Sequence, residues 1–471
     1  MTKSSEREFT EGSLMKHVAV MSLTSSVGIM AIYVVDLFDI LFISMLGHRE
    51  MAAAAGYGST VLFFVSTINM GLSIGTGTLV AFALGEKRKD RARQIATSAM
   101  IAAVTAGIFI PIVMIPYMPF LLGLIGARGE VNDMAMTYLI IILPATCFSG
   151  MAMCAIAVLR SRGVAKWSMY PSLTGALVNL IMDPILIFGL DLGLQGAAAA
   201  TVMARMMTFA LAIYAAGIMR QGFARIGWAE FRYDIPRLMR YSTPAVISSI
   251  AAPVGQAIIM RYIAKFGPEA VAGLAVIGRL APVVFSVVNA LYGSIGPIIG
   301  QNFGAGKMDR ARSAYFEALK FLAAYVVAVT LVLYLFRVPI ADAFGAQGLT
   351  REILYFYCGP LATISFFNGS IFISNAAFNN LGYPGYSPIL NWARNTIGIL
   401  PFVAVGEQIM GVWGVAYGFL LGAIVFSLIA IFTTLRLKPF AEEARNQKYR
   451  KTSFEGDQEH EMMHKGDSMH L

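Results

Sequence analysis

Apolar residues run along this chain in long blocks, and polar residues gather in the short gaps between them. A helix that crosses a bilayer needs about 20 predominantly apolar residues. About twelve blocks meet that length: 17–46, 53–84, 95–125, 133–159, 168–190, 193–216, 241–265, 270–303, 315–336, 350–380, 386–405 and 410–436. Several are too long for a straight crossing and require tilt, kinks or helix beyond the bilayer. The pattern predicts an all-α integral membrane protein with about twelve transmembrane helices.

The gaps alternate in charge. One set carries Lys87, Arg88, Lys89, Arg91 and Arg93, then Arg160, Arg162 and Lys166, then Arg225, Arg232, Arg237 and Arg240, then Lys307, Arg310 and Arg312. The other set holds only scattered Arg49, Arg128, Lys265, Arg337 and Arg351. Basic loops stay in the cytoplasm, so both termini are expected there.

The blocks also repeat. "ALGEKRKDRAR" (83–93) aligns with "NFGAGKMDRAR" (302–312), Gly47 with Gly267, and "GLQGAAA" (193–199) with "GVWGVAY" (411–417). Six helices of the same sidedness in each half make a parallel repeat, its pseudo-twofold axis along the membrane normal. The expected organisation is a cytoplasmic N-terminal segment 1–16, an N-lobe 17–216 and a basic cytoplasmic linker 217–240. A C-lobe 241–436 and a disordered cytoplasmic tail 437–471 follow. Two bundles that face each other form a cleft, whose natural use is alternating access.

Composition narrows the class. Hydrophobic residues make up 57%, charged residues 13%, and the mean hydropathy is +0.67, whereas a soluble domain averages about 25% charged residues. The net charge of +9 sits in short loops and serves orientation, so no nucleic-acid partner is expected. Cys147, Cys154 and Cys358 all lie in apolar runs and read as packing residues. "HEMMH" (460–464) satisfies a zinc-protease pattern, but a polar tail offers no walled pocket or further ligand, so neither an enzyme nor a bound metal or cofactor is expected. The 27 methionines and 31 phenylalanines suit an adaptable wall, although most must face lipid or core.

Polar residues inside the blocks are costly, roughly 2.5–3.5 kcal/mol for an acid at the helix centre on insertion scales. Asp39 lies eight residues before Gly47, Asp183 eight before Asp191, and Thr201 eight after Gly193. At 1.5 Å per residue each sits about 12 Å below the outer surface. Asn179 is one turn deeper than Asp183 on the same face, and Asp36 one turn deeper than Asp39. Three helices of the first half thus bring oxygen-bearing side chains to one depth. Crowded carboxylates away from bulk water invite a proton or a hard cation such as sodium. A polar pair that only braces helices is the alternative, and for Asp36 it has equal weight. Transferred through the repeat, Asp39 falls on Ile259, Asp183 on Pro401 and Thr201 on Phe419, within a residue. A need of the scaffold itself should have placed acids in both halves. Arg205, one turn beyond Thr201, could neutralise Asp36 or Asp183 or line the cleft, whereas Arg261, Arg279 and Arg394 read as snorkelling residues.

Together these features resemble the multidrug and toxic compound extrusion (MATE) family over roughly residues 15–436. The matching pieces are "DILFISMLG" (39–47), the basic pair "ALGEKRKDRAR" (83–93) and "GQNFGAGKMDRAR" (300–312), "NLIMDPILIFGLDLGLQGAAAAT" (179–201) and "FNNLGYP" (378–384). The resemblance implies a monomeric antiporter of a bacterial inner membrane, exporting small organic, amphipathic and cationic compounds against an inward flow of protons or sodium. In the DinF-like branch the first-lobe cation site would fall on Asp39, Asn179, Asp183 and Thr201. The NorM-like branch carries acids on helices seven and ten. Here "VISSIAAPVGQAIIMRYIA" (246–264) and "ATISFFNGSIFISNAAF" (362–378) have none, and Gln256 and Asn368 are the nearest polar candidates for substrate contact. Many relatives bend helix one at a proline; here only Gly28 could serve. A flippase for lipid-linked saccharides, from the same superfamily, is the alternative reading.

Overall fold

A computed structural model of the chain describes residues 9–219 and 222–440. The described residues form helices joined by short turns. Within a bilayer this is forced, because only a helix satisfies its own backbone groups without water. We number the spans α1 (Leu14–Met45), α2 (Arg49–Gly85), α3 (Lys89–Leu124), α4 (Glu130–Ser161), α5 (Ala165–Gly189), α6 (Gly193–Gly217) and α7 (Trp228–Phe266). Next come α8, built from Pro268–Val284 and Ser286–Gly304 bent by 48°, α9 (Met308–Leu335) and α10 (Pro360–Asn380).

The last block, Tyr386–Arg436, is 51 residues long and has one residue with non-helical backbone, Gly411 at φ 57° and ψ −133°. The chain reverses there. A Cβ on Gly414 would strike the Gly406 carbonyl, one on Gly418 the Phe402 carbonyl, and one on Gly422 would press on Ile399. That stepwise pairing describes an antiparallel hairpin with touching backbones, the close approach that small residues permit. The block is therefore two spans, α11 (386–410) and α12 (412–436), which completes the expected twelve.

Edges differ from expectation where polar residues extend a helix beyond the apolar run. Helix α7 begins at Trp228, inside the segment read as linker. The preceding stretch lies along α3, with Ala224 donating to the Thr97 hydroxyl at 3.1 Å. Buried Asp234 accepts from the Ser98 hydroxyl at 2.6 Å and pairs with Arg91, which ties α7 to the start of α3. The "HEMMH" motif and the remainder of the tail beyond Phe440 lie outside the described residues.

Each half packs mainly on itself. In the first, α1 lies on α5, α5 on α6 and α2 on α3 and α4; in the second, α8 lies on α10, and α10 on the final hairpin. Across the halves, α2 lies on α7 and α8, and α8 on α1. One crossing is reciprocal. A Cβ on Gly85 would come within 2.2 Å of the Gln301 carbonyl, and one on Gly304 within 2.4 Å of the Phe82 carbonyl. Gly85 and Gly304 are repeat partners, and so are Phe82 and Gln301. Such an exchange is what a two-fold relation between surfaces requires.

Gly28 does not bend α1, which runs unbroken from Leu14 to Met45. A Cβ there would meet the Met169 carbonyl at 3.1 Å, so this glycine permits close packing on α5. Breaks occur elsewhere. A 3-10 turn interrupts α4 at Leu143–Ala145 around Pro144, and π turns follow at Ile185–Gly189 in α5 and Arg394–Gly398 in α11. Such interruptions leave backbone groups open to other partners and recur at functional positions.

Candidate functional site

The breaks in the first half surround its acids. Asp39 projects from α1, and Asn179 and Asp183 from consecutive turns of α5, just before Pro184 and the π turn. The Asn179 Nδ2 donates to Asp39 Oδ1 at 2.9 Å and to Asp183 Oδ2 at 2.8 Å. One side-chain amide thus holds two carboxyls, one on each helix. Both carboxyls therefore lie within hydrogen-bond distance of one nitrogen. Asp183 is only 1% exposed, and its Oδ1 is buried with no protein partner. A buried oxygen of that kind costs free energy unless a proton or cation completes it.

Thr201, on α6, donates to its own-helix carbonyl of Ala197 at 3.0 Å and makes no hydrogen bond to the acids. Its lone pairs stay free, as a ligand's would. Asp36 stands apart from the trio, exposed and without a hydrogen bond. Its face of α1 is that of Tyr33, three residues earlier, whose hydroxyl accepts from Asn289 of α8 at 3.3 Å. Asp36 thus lies on α1 between Tyr33, which meets α8, and Asp39, which meets α5.

Arg205 neutralises neither acid. Its Nη1 donates to the Ile142 carbonyl beside the 3-10 turn at 3.4 Å, and no acid lies within ion-pairing distance. Gln256 is exposed and makes no hydrogen bond. Asn368 accepts from Arg394, and this corrects the reading of Arg394 as a snorkelling residue. Arg394 is 6% exposed, and its Nε is buried without a partner. It sits in the π turn of α11, whose backbone geometry turns it inward. Distance from a helix end did not predict the direction of this side chain.

Tyr138 of α4 escaped the sequence reading. It is buried in the cluster that holds Ile43 of α1 and Ile187 of α5. Its ring fills the space over Gly58, where a Cβ would lie 2.7 Å from Cδ1. A tyrosine in an apolar run gives no sequence signal beyond the rule that its hydroxyl needs a polar neighbour.

The second half is apolar at the corresponding place. Ile259, Ile399, Val403 and Val415 share one buried cluster, with Phe419 packed against it. The buried α11 pair is Ile399 and Val403, while Pro401, the residue reached by register transfer, is exposed. The tight reversal at Gly411 replaces the short loop before Gly193, and that shifts the inward-facing positions.

Twelve apolar helices in two reciprocal halves, with carboxyls held inside one of them, define an integral membrane transporter. The MatE family model matches twice, over residues 25–185 and 244–403, and the chain belongs to that family of multidrug efflux transporters. It is 29% identical over 407 residues to the FAD transporter of Shewanella oneidensis, covering 84% of this chain and 88% of the relative. It is 22% identical over 432 residues to the multidrug export protein MepA of Staphylococcus haemolyticus, covering 91% and 95%. Among solved structures, the Vibrio cholerae MATE transporter VcmN, in mutant form, superposes with a TM-score of 0.86 at 24% identity, over 91% of this chain and 98% of that one. An outward-facing multidrug resistance MATE transporter also gives 0.86, at 21% identity over 92% and 98%. The relatives are transporters, and the chain is a transporter and not an enzyme.

Proposed function

We propose that this protein is a secondary active exporter in which protons or sodium ions, moving inward, drive a small organic compound outward. The carrying observation is the carboxyl pair of Asp39 and Asp183, held by the Asn179 amide, with Asp183 Oδ1 buried and unpartnered. Two carboxylates at that spacing repel one another until a positive charge enters, and a proton or a hard cation suits the oxygens equally. Thr201 supplies a further oxygen on the neighbouring helix, and Asp36 a further carboxylate on α1. Binding drives a conformational change only if the ion prefers one state. Here it would act through α1, the element that carries Asp39 and packs on both halves. The acid set confined to the first half favours the DinF-like branch.

Lobes 17–216 and 241–436 would rock about the boundary where α1, α2, α7 and α8 meet. The Lys- and Arg-rich loops support cytoplasmic termini, and we infer a bacterial inner membrane and a monomeric transporter. The first substrate class is amphipathic organic cations, drawn by exposed Asp36. A second reading has a specific observation behind it. Arg205 and Arg394 lie inside the bundle with no acid in ion-pairing distance, and Arg394 has an open Nε. Such groups suit a phosphate-bearing substrate, and one relative is an FAD transporter.

Transport in inside-out vesicles decides between these. With a pH gradient and a sodium gradient imposed separately, uptake of a cationic dye should follow one of them. Uptake that ignores both gradients removes the antiport reading. Saturable uptake of FAD in place of the dye selects the second substrate class.

A further inference from the structure

The segment that precedes α1 belongs by sequence to the first half, yet its polar groups are held by the second. Phe9 is fully buried, in a cluster with Ala311 and Tyr315 of α9. Its carbonyl accepts from Asn302 Nδ2 at 3.1 Å and from Arg310 Nε and Nη2, both at 3.2 Å. Arg310 Nη2 also reaches the Gly12 carbonyl at 2.7 Å, and Lys307 Nζ the Thr10 carbonyl at 3.0 Å. Every one of these donors comes from the end of α8, the basic turn after it, or the first turn of α9.

Gln301 joins this strap to the crossing of the two halves. Its Oε1 accepts the Phe9 backbone N–H at 2.9 Å, and its Nε2 donates to the Ser161 carbonyl, at the end of α4, at 2.6 Å. Its own backbone is the surface against which Gly85 of α2 is pressed. One buried amide therefore touches the strap, the first half and the second half together. All these contacts lie on the basic face, at the end opposite the Asp39 region.

We propose that residues 9–12 form a latch that holds the basic-face gate of the transporter shut, with Gln301 as its catch. Separation of the halves at this face pulls Ser161 and Gly85 away from Gln301. Because α1 continues directly from the strap and packs on both halves, the strap's hydrogen bonds strain or release in the same movement. Opening then exposes amides that were satisfied in the closed state, which biases the resting protein towards closure. The proposal rests on the alternating-access reading but not on the identity of the coupling ion.

The test uses the full chain with Cys147, Cys154 and Cys358 replaced by serine and one reporter, Ala81→Cys. Ala81 is buried on α2 beneath the crossing, its Cβ 3.0 Å from one built on Gly300. Maleimide labelling in inside-out vesicles reads gate opening. Gln301→Ala removes two hydrogen bonds and Arg310→Met three, and each should raise the labelling rate by at least about five-fold, the effect of a single net hydrogen bond. Gln301→Glu keeps the acceptor for Phe9 but turns a buried carboxylate oxygen onto the Ser161 carbonyl, and should show a larger rise. Lys307→Ala, at the exposed edge of the strap, should fold normally and show the smallest. A parent rate that responds to imposed gradients, with all variants matching it, overturns the latch alone. A parent rate that no gradient alters removes alternating access at this gate, and the latch falls with it.

Discussion

The two halves of this transporter share a backbone plan and differ in what they enclose. In the first, Asp39, Asn179 and Asp183 meet around a single amide. In the second, the matching space is filled by Ile259, Ile399 and Val403. The second half buries other polar groups, Arg394 and Asn395 among them, but no carboxyl at this place, so six helices of this kind do not require acids here for their stability. The acids are retained in one half against an insertion cost of roughly 2.5–3.5 kcal/mol each. That asymmetry favours the coupling role proposed for them.

The sharpest break of this comparison is neutralisation of the acids. Asp39→Asn and Asp183→Asn should each reduce dye export to the background of cells without the transporter, while both proteins still insert. Drug resistance of expressing cells, normalised to membrane protein, measures it, and normal resistance in both variants ends the coupling scheme. Next in size is the one place where the halves should respond alike. Gly85→Val and Gly304→Val each push a branched side chain into the opposing backbone, and each should cost several kcal/mol in the way overpacking does. Equal losses of thermal stability in detergent are expected; a loss confined to one variant breaks the two-fold relation at the crossing.

A third test carries an acid across. Ile259→Asp places a carboxyl in the apolar cluster with no amide to hold it, at a cost of about 3 kcal/mol. Lowered stability with unchanged ion dependence is expected, whereas new ion coupling would show that the second half is an equivalent site lacking only its acid. The smallest effect belongs to Thr201→Val. It removes a hydroxyl that the acids do not engage directly, and about 1 kcal/mol should appear as a roughly five-fold higher ion concentration for half-maximal export.

Much of this was legible beforehand because membrane helices are written in composition. Spans follow from length, direction from loop charge, and the pairing of Asn179 with Asp183 from a spacing of four residues. Helix rotation is not written so plainly. Arg394 stands eight residues into its block, and only the π turn at Arg394–Gly398 explains why it faces Asn368 instead of the surface. Tyr138, whose ring packs over Gly58 ahead of the 3-10 turn of α4, is likewise placed by packing that no spacing announces. The strap of Phe9 was invisible for another reason. Its partners Asn302 and Arg310 lie some 300 positions away along the chain; Arg310 reads as loop charge, and Asn302 stands at the end of an apolar block.

Gly411 carries a consequence for how the polypeptide reaches its final arrangement. A straight helix of 51 residues would measure on the order of 75 Å, more than twice the roughly 30 Å hydrocarbon layer. Glu407 is the one charged residue between Arg394 and Arg436, so little besides the backbone turn at Gly411 separates α11 from α12. A bulkier residue at this left-handed position would weaken the fold-back and with it the docking of α12 against α11.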